Sequence, residues 1–165
     1  MACLLKHESN FVKEGVIDND YMTPKYAWEN IQQYIPKDKV IWEAFMGDGK
    51  SGEYLTELGF NVIANDNDFF QSDEGDIVVS NPPFSISKEV ITRLKTLDKP
   101  FILILPSNKI NTQYFRILKN QIQLIIPRKR IHFDKKQEGW KNSCYFDCFY
   151  YCYKMNLPRD IIWLE

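Results

Sequence analysis

Four residues that follow a short apolar run have side chains suited to chemistry on a planar amine. Asn81, Pro82, Pro83 and Phe84 come directly after residues 77–80, which read as a buried strand. The Asn81 amide oxygen and the Pro82 carbonyl are hydrogen-bond acceptors, and proline adds no competing N–H donor. Phe84 offers a flat ring for stacking. Two acceptors and a ring at one point predict a site for an exocyclic amino group.

Such an amino group on adenine or cytosine is a weak nucleophile, because its lone pair is delocalised into the ring. Accepting both of its hydrogens would localise that lone pair, which is catalysis by preorganised dipoles. The base would first have to leave its helix. The tetrapeptide resembles the (Asn/Asp/Ser)-Pro-Pro-(Tyr/Phe/Trp) motif of nucleic-acid amino-methyltransferases, which use S-adenosylmethionine. An ordinary β-turn would contain the same Asn-Pro and Pro-Pro pairs.

The glycine-rich segment at residues 44–52 is compatible with three kinds of binding site. Gly47, Gly49 and Gly52 form the GxGxxG pattern of dinucleotide-binding folds, and Asp66 stands where an acid would hold a ribose. Residues 44–51 also match a relaxed phosphate-binding loop, with Ala in place of the first glycine. In the third interpretation, Glu43 and the residues after it resemble the methyltransferase loop (Asp/Glu)-x-Phe-x-Gly-x-Gly.

The context favours the third interpretation. A dinucleotide site needs two mononucleotide halves, and the chain has little room for the second. A phosphate-loop NTPase should have an acidic Mg²⁺ ligand at the end of another strand, whereas that strand here leads into Asn81. The methyltransferase resemblance implies that Glu43 faces the cationic amino-acid part of S-adenosylmethionine. It implies that Asp66 takes the ribose hydroxyls, that Asp68 accepts from the adenine amine and that Phe69 packs on the ring.

A second match lies upstream of the loop. Residues 20–24 resemble the Tyr-x-Thr-Pro segment that often precedes the cofactor loop in adenine enzymes of this group. The resemblance implies that this segment touches the methionine end of the cofactor. A helix cap at Thr23 followed by Pro24 would explain the same residues. The full set of expected cofactor contacts is Tyr21, Thr23, Glu43, Phe45, Gly47, Gly49, Asp66, Asp68, Phe69 and Asn81.

Charge is distributed unevenly along the chain. Residues 1–80 hold 15 acidic and 6 basic side chains, whereas residues 81–165 hold 7 acidic and 15 basic ones. A cationic patch with interleaved aromatic rings is the expected footprint of a phosphate backbone. A solvated loop would also be rich in lysine. The expected nucleic-acid contacts are Arg128, Lys129, Arg130, Lys135, Lys136, Trp140 and Lys141, with Phe133 beside them.

The length of 165 residues predicts one domain, with residues 1–19 as a flexible arm and no separate target-recognition domain. No apolar run approaches the length of a membrane span, and the first residues lack the features of a signal peptide. We therefore expect an intracellular protein. The Lys to Arg ratio of 16 to 5 suggests an AT-rich genome, such as that of a virus or phage.

Three cysteines recur at every fourth residue, at 144, 148 and 152. They fall in a β-favouring stretch, where four residues span roughly 13 Å. One tetrahedral ion cannot gather thiolates so far apart. We therefore expect buried thiols on one face of a strand, and no metal site.

The order of elements predicts an α/β fold of the Rossmann-like type. We expect strands at 40–45, 61–64, 76–80, 101–105, 123–126 and 144–153, with helices at 24–34, 53–58, 88–97 and 112–119. Their alternation favours a doubly wound, mostly parallel sheet. The last two strands have no helix between them and should pair as an antiparallel hairpin, as the family resemblance also implies. Residues 69–75 are too few for a third strand with its helix, so that edge should be shortened.

Together these features predict a single methyltransferase domain that acts on the amino group of adenine in DNA. The alternatives are RNA, the N4 amine of cytosine, or a cofactor-binding subunit of a methyltransferase complex. A chain this short has only residues 107–120 and 132–143 to recognise a target. Recognition should therefore be short or loose, or depend on a second copy or a partner subunit.

Overall fold

The computed structural model describes residues 21–135 and 146–165. Residues 1–20, which include the expected arm, lie outside the described residues. So do Lys136, Trp140, Lys141 and Cys144. Nine strands are described: β1 Tyr21–Met22, β2 Val40–Trp42, β3 Asn61–Ile63, β4 Ile77–Ser80, β5 Phe101–Pro106, β6 Ile122–Ile126, β7 Asp134–Lys135, β8 Cys148–Tyr153 and β9 Ile161–Trp163.

Seven of these strands form one sheet in the order β3-β2-β4-β5-β8-β6-β9. β2 pairs in parallel with β3 and β4, and β4 pairs in parallel with β5. β8 lies antiparallel between β5 and β6, which confirms the expected terminal reversal. Only a 3-10 turn at Phe69–Gln71 separates β3 from β4, and β3 is the edge strand among the described residues. The expectation of a shortened edge is therefore confirmed as well.

The central strands consist of apolar, largely β-branched residues, as in sheets that are covered on both faces. Every residue of β4 and β5 is buried. Helix α2, Lys50–Glu57, connects β2 to β3, and helix α3, Ser87–Leu97, connects β4 to β5 in the opposite direction along the sheet. Because such crossovers are right-handed, α2 and α3 cover opposite faces. The sheet is doubly wound, as the sequence predicts.

Two predicted helices are shorter than expected. The first predicted helix divides into α1, Lys25–Glu29, and a 3-10 turn at Gln32–Tyr34. The helix expected at 112–119 is a 3-10 turn, Tyr114–Leu118, and another 3-10 turn, Ser107–Asn111, precedes it. Side chains three apart are eclipsed in a 3-10 helix, so Phe115 and Leu118 are both buried without a full α-helix. None of the helices in the described residues is long and apolar enough to cross a membrane.

Helix α1 is fixed to the sheet and to α2 by two long-range hydrogen bonds. The Tyr150 hydroxyl in β8 donates to the Ala27 carbonyl at 2.6 Å. The buried Trp28 indole donates to the Ser51 hydroxyl at 3.0 Å. Burial also raises the pKa of the Tyr150 phenol, so this donor keeps its proton. The segment just after β1 is thereby held in a defined place beside the glycine-rich loop.

The expected burial of the cysteines is confirmed for the two that are described. Cys148 and Cys152 are both buried in β8, four residues apart and therefore on one face of the strand. Burial raises the pKa of the Cys152 thiol. The apolar tail docks as expected, as β9 alongside β6, although Ile161 and Trp163 remain exposed.

Candidate active site

The candidate site lies where the sheet changes its direction of winding. β2 and β4 are parallel neighbours, and the chain leaves β2 toward β3 but leaves β4 toward β5. Ligands of open α/β sheets bind at such a switch point, beyond the carboxyl ends of the strands. Glu43 follows β2 directly and Asn81 follows β4 directly. The two most informative polar residues of the sequence therefore lie at the carboxyl ends of adjacent strands.

The carboxyl group of Glu43 is deeply buried, and only one of its two oxygens accepts hydrogen bonds from the described residues. Only 1% of the residue is exposed. Its Oε1 accepts a hydrogen bond from the Ser80 hydroxyl and another from the Phe45 N–H at 3.4 Å. Its Oε2 is buried and has no partner among the described residues. Burial raises the pKa of Glu43 to about 8, more than these hydrogen bonds lower it.

Asn81 is held by one end of its amide and open at the other. Its Nδ2 donates to the Tyr21 carbonyl at 3.0 Å. Because the partner is a carbonyl, the amide nitrogen must point toward it, and this fixes the direction of the oxygen. Within residues 21–135 and 146–165, Asn81 Oδ1 is buried without a hydrogen-bond partner. The acceptor that the sequence predicts is therefore oriented and unsatisfied.

Thr23 has a buried hydroxyl that the fold does not use. Only 5% of the residue is exposed, and its Oγ1 has no partner in the described part of the chain. Helix α1 is capped at Pro24 with no side-chain hydrogen bond. The interpretation of Thr23 as a helix cap is therefore wrong, because the helix starts one residue later and its first turn receives no bond from the hydroxyl.

Unsatisfied polar atoms concentrate in this region. Buried polar groups in proteins are nearly always hydrogen-bonded, so an exception calls for a ligand, water or strain. Five buried side-chain atoms of the described residues lack a partner, and three of them are Thr23 Oγ1, Glu43 Oε2 and Asn81 Oδ1. All three belong to residues for which the sequence predicts ligand contacts. The residues are also connected, since Glu43 binds Ser80, and Asn81 binds Tyr21.

The glycine-rich loop passes close to β1 and then opens. Gly47 and Gly49 have positive φ angles of 57° and 82°, which favour glycine. A Cβ at Gly47 would lie 3.2 Å from the Met22 sulfur, whereas a Cβ at Gly49 would meet nothing within 4 Å. The loop therefore needs glycine for its backbone at both positions, and it leaves open space beside Gly49 at the start of α2.

The residues expected at the nucleoside end of the cofactor differ in accessibility. Asp66 is exposed beyond the carboxyl end of β3. Asp68 is also exposed, and its Oδ1 caps the following 3-10 turn by accepting from the Phe70 N–H at 2.9 Å. Phe69 is buried, with ring centroids 4.7 Å from Phe45 and 5.5 Å from Trp42. The two acids can be reached by a ligand, while the Phe69 ring mainly completes the core.

Phe84 is covered by an aromatic cluster. Its ring stacks on Tyr21 with a centroid distance of 5.7 Å and an interplanar angle of 25°, and the residue is 8% exposed. Phe133 and Phe146 meet it edge-on at 6.2 Å and 5.5 Å. The expected stacking of a base on Phe84 stays a prediction, and it requires the Tyr21 ring to move aside. Phe133 is itself buried, so it does not stand among the exposed cations.

The basic residues follow β6, which runs parallel to β4 through the intervening antiparallel β8. They therefore lie beyond the carboxyl ends of the parallel strands, on the same side of the sheet as Asn81, as the sequence predicts. Arg128 and Lys129 are exposed. Arg130 pairs with Asp147 through Nε–Oδ1 at 2.9 Å, and Nη2 donates to Oδ2 at 3.3 Å. This ion pair occupies the Arg130 guanidinium and lowers the pKa of Asp147.

Sequence reasoning missed Ser80 and the roles of the Tyr21 backbone and ring. Ser80 is completely buried and donates to Glu43 across 37 residues of sequence. A serine at the end of an apolar strand gives no distinctive signal. The sequence predicts Tyr21 only as a cofactor contact, yet its carbonyl fixes Asn81 and its ring covers Phe84.

The sheet order, with an antiparallel strand between β5 and β6, and the strand-end residues define the Rossmann-like fold of the methyltransferases. The sequence profile of the family described as adenine-specific methyltransferase EcoRI matches residues 32–135, and the chain belongs to that family. The match includes Glu43, the glycine loop and the tetrapeptide. The Type II methyltransferase M.EcoRI of Escherichia coli is 26% identical over 125 residues, which cover 74% of this chain and 34% of that protein. The chain thus spans about a third of the length of this relative.

Methyltransferases of this kind in general use S-adenosylmethionine as the methyl donor. The family assignment made from the two motifs is confirmed. The matched residues begin after Tyr21 and Thr23, so the upstream segment rests on the geometry described above.

Proposed function

We propose that this chain transfers the methyl group of S-adenosylmethionine to the exocyclic amino group of adenine in DNA. The observation that carries the proposal is Asn81, whose amide nitrogen is fixed by the Tyr21 carbonyl while its oxygen is buried and unsatisfied. An oriented acceptor at the carboxyl end of β4 suits an amino group that must donate a hydrogen bond from each of its two N–H groups. Family membership supports adenine as the base.

The chemistry of the site fits S-adenosylmethionine. Its amino-acid part carries a cation and a carboxylate, and the buried Glu43 Oε2 and Thr23 Oγ1 are polar groups without partners among the described residues. The open space beside Gly49 lets the backbone approach a ligand closely. Asp66 and Asp68 are exposed acids at the end of the neighbouring strand and suit hydroxyl and amine donors. These residues would hold the cofactor, which when bound supplies an electrophilic methyl group.

In the proposed reaction, the chain's own groups prepare the amine. Asn81 Oδ1 accepts one N–H of the adenine amino group, and the Pro82 carbonyl accepts the other. The lone pair is thereby directed away from the ring and toward the methyl group. The amide dipole is fixed before the substrate arrives, so little reorganisation is needed in the transition state. The proton of the methylated amine leaves to water, and no side chain is required as a general base.

In this proposal, the Glu43 carboxylate binds the cationic ammonium group of the cofactor. A carboxyl group with a pKa of about 8 is mostly neutral at pH 7. An ammonium group near Oε2 would stabilise the ionised form and lower that pKa. Ser80 would continue to donate to Oε1 and hold the carboxylate in place. Binding of the cofactor's amino group would therefore release a proton from Glu43.

We propose that the chain acts as one methyltransferase domain, and that a short recognition sequence or a partner subunit provides specificity. The relative from Escherichia coli is much longer than the region that it shares with this chain. A cofactor-binding subunit of a larger complex is therefore the alternative to an independent enzyme.

The test is incorporation of label from S-adenosylmethionine into duplex DNA and into RNA, followed by digestion to nucleosides. We expect labelled N6-methyldeoxyadenosine with the wild type and none with Asn81→Ala. Asn61→Ala, at an exposed position at the start of β3, serves as the matched control. Label in cytidine, or in RNA alone, would correct the substrate. No label despite cofactor binding would favour the subunit alternative.

A further inference from the structure

A groove of about 670 Å³ opens at the carboxyl ends of β6 and β9. One wall is α1 with the 3-10 turn at Gln32–Tyr34, and the other is the segment that follows β6 and the end of β9. None of its lining residues belongs to the site around Glu43 and Asn81. Its volume lies within the range of about 300–1,000 Å³ of sites for small molecules and cofactors.

The charge of the groove suits an anionic ligand. Arg128 and Lys129 are exposed on its lining, and neither forms an ion pair in the described part of the chain. Glu165 is the one acidic residue of the lining, so the side chains leave a net positive charge. Asn30 and Gln33 add exposed amides that can donate and accept hydrogen bonds.

An exposed tryptophan stands at the same groove. Trp163 ends β9 and is 72% exposed, far more than the buried Trp28 and Trp42. Tyr26, on the opposite wall, is 41% exposed, and its hydroxyl accepts from the His132 N–H at 2.8 Å. Cations beside an accessible indole are the combination with which proteins bind unpaired nucleotides, with the base stacked and the phosphate neutralised.

The groove is built on fixed elements. The Leu164 N–H donates to the Ile126 carbonyl at 3.0 Å and holds the end of β9 against β6. Ile131, on the lining, is 2% exposed and anchors the segment that carries the two cations. A ligand would therefore meet a preformed surface, which reduces the entropy lost on binding.

We propose that this groove binds one unpaired nucleotide of a nucleic-acid strand. Its base stacks on Trp163, its phosphate lies at Arg128 and Lys129, and the Asn30 and Gln33 amides face the base edge. This inference rests on the proposed function, because it assigns a second contact with the same substrate. The carboxyl ends of β6 and β9 lie on the same side of the sheet as Asn81, at the carboxyl end of β4. One nucleic-acid strand could therefore contact both the groove and Asn81.

The test is tryptophan fluorescence in a Trp140→Phe background, titrated with a single-stranded DNA 12-mer at two salt concentrations. Trp28 and Trp42 also emit in this background, but both are buried, so a ligand in the groove would contact Trp163. We expect the fluorescence to be quenched until it saturates. The affinity of Trp163→Ala, measured by anisotropy of a labelled 12-mer, should be lower by about fivefold or more. Arg128→Gln/Lys129→Gln should lower the slope of log affinity against log salt by about 0.7, the contribution of the one single-strand phosphate that both side chains contact. Glu165→Gln should strengthen binding.

The matched control is Lys39→Gln/Arg159→Gln, which removes one lysine and one arginine from exposed positions just before β2 and just before β9, at the opposite ends of the strands. An equal loss of slope in this control would overturn the assignment. So would DNA binding without a change in Trp163 fluorescence, equal quenching by free dAMP, or a Trp163 signal that depends on protein concentration alone. The assay needs no methyl transfer, so an inactive protein that still shows the quench would refute only the proposed function.

Discussion

Replacing Glu43 by Gln separates the charge of this residue from its shape. Glutamine fills the same volume, and its amide oxygen can accept the hydrogen bonds that Ser80 and the Phe45 N–H now donate. It cannot ionise. Burial raises the pKa of Glu43 to about 8, and the nearby Asp48 adds a smaller effect of the same sign. If the carboxylate receives the cofactor's ammonium group, the substitution should remove the pH dependence of cofactor binding.

The magnitude follows from that pKa. One pH unit below it, about one tenth of the Glu43 carboxyls are ionised in the free protein, and two units below it about one hundredth. Binding that requires the ionised form should therefore strengthen by about tenfold per pH unit below pH 8. Between pH 6 and pH 7.5 the ionised fraction, and with it the wild-type affinity for S-adenosylmethionine, should rise about 25-fold. Glu43→Gln should show no such gain and should bind less tightly at pH 7.5, through loss of a charge-assisted hydrogen bond of about 1.5–3 kcal/mol.

Titration calorimetry at pH 6, 6.5, 7 and 7.5 measures this affinity directly. Repeating each titration in buffers of different ionisation enthalpy counts the protons released. Glu53→Gln is the matched control, because Glu53 is an exposed acid in the first turn of α2. A wild-type affinity that stays flat with pH would refute the role of Glu43 as the partner of a cation. So would an equal slope in Glu43→Gln.

Glu43 should also make the stability of the unliganded protein depend on pH. Here the effect has the opposite sign, because stability falls as pH rises whereas cofactor affinity increases. The unfolded pKa is near 4.5 and the folded pKa is about 8, so the folded state binds more protons between these values. The free energy of unfolding should therefore fall as pH rises through this window, by up to about 1.4 kcal/mol per unit. Glu43→Gln should flatten that decline in urea denaturation at pH 5 to 8. A decline of unchanged slope in the variant would show that other groups cause it.

Three further substitutions and one salt titration test other parts of the site. Asn81→Ala should abolish methyl transfer while calorimetry finds cofactor affinity nearly unchanged, and near wild-type turnover would refute its role. Gly49→Val should weaken cofactor binding by about tenfold or more, a loss of about 1.4 kcal/mol, and unchanged binding would place the cofactor elsewhere. Gly52→Val brings a Cβ within 2.9 Å of a neighbouring methyl and should lower stability by about 1–3 kcal/mol in urea denaturation, unless the neighbour yields. Lys135→Ala/Lys136→Ala should reduce the salt slope of DNA binding by about one for each phosphate that these lysines neutralise, and an identical slope would place both lysines away from DNA.

Much of the topology could be predicted from the sequence, because it depends on local patterns. Apolar runs alternate with helical segments from β2 to β5, and this alternation predicts parallel strands. The sequence pattern predicts no helix between the segments of β6 and β8, and this predicts the antiparallel pair. Residues 69–75 are too few for a third strand and helix, so the shortened edge also follows from length alone.

The tertiary contacts of the site could not be predicted in the same way. The bond from Asn81 to the Tyr21 carbonyl joins residues 60 apart, and it uses a backbone group that every residue has. β1 and β7 are two residues each, too short for a hydrophobic period. Their pairing nevertheless places the upstream segment over the site. The groove near Trp163 likewise depends on the pairing of β9 with β6. From its apolar composition, the sequence predicts only that this tail packs against the protein, and it does not predict where.

Tyr21 connects these parts through two chemically different groups. Its backbone carbonyl fixes the Asn81 amide, while its ring lies on Phe84 and meets Phe133 and Phe146 edge-on. A base that stacks on Phe84 must displace the ring, but it has no need to displace the carbonyl. Rotation about the side-chain bonds can move the ring while the backbone stays paired with β7. The fold thus allows the stacking surface to be uncovered while the catalytic acceptor keeps the orientation that the proposed reaction needs.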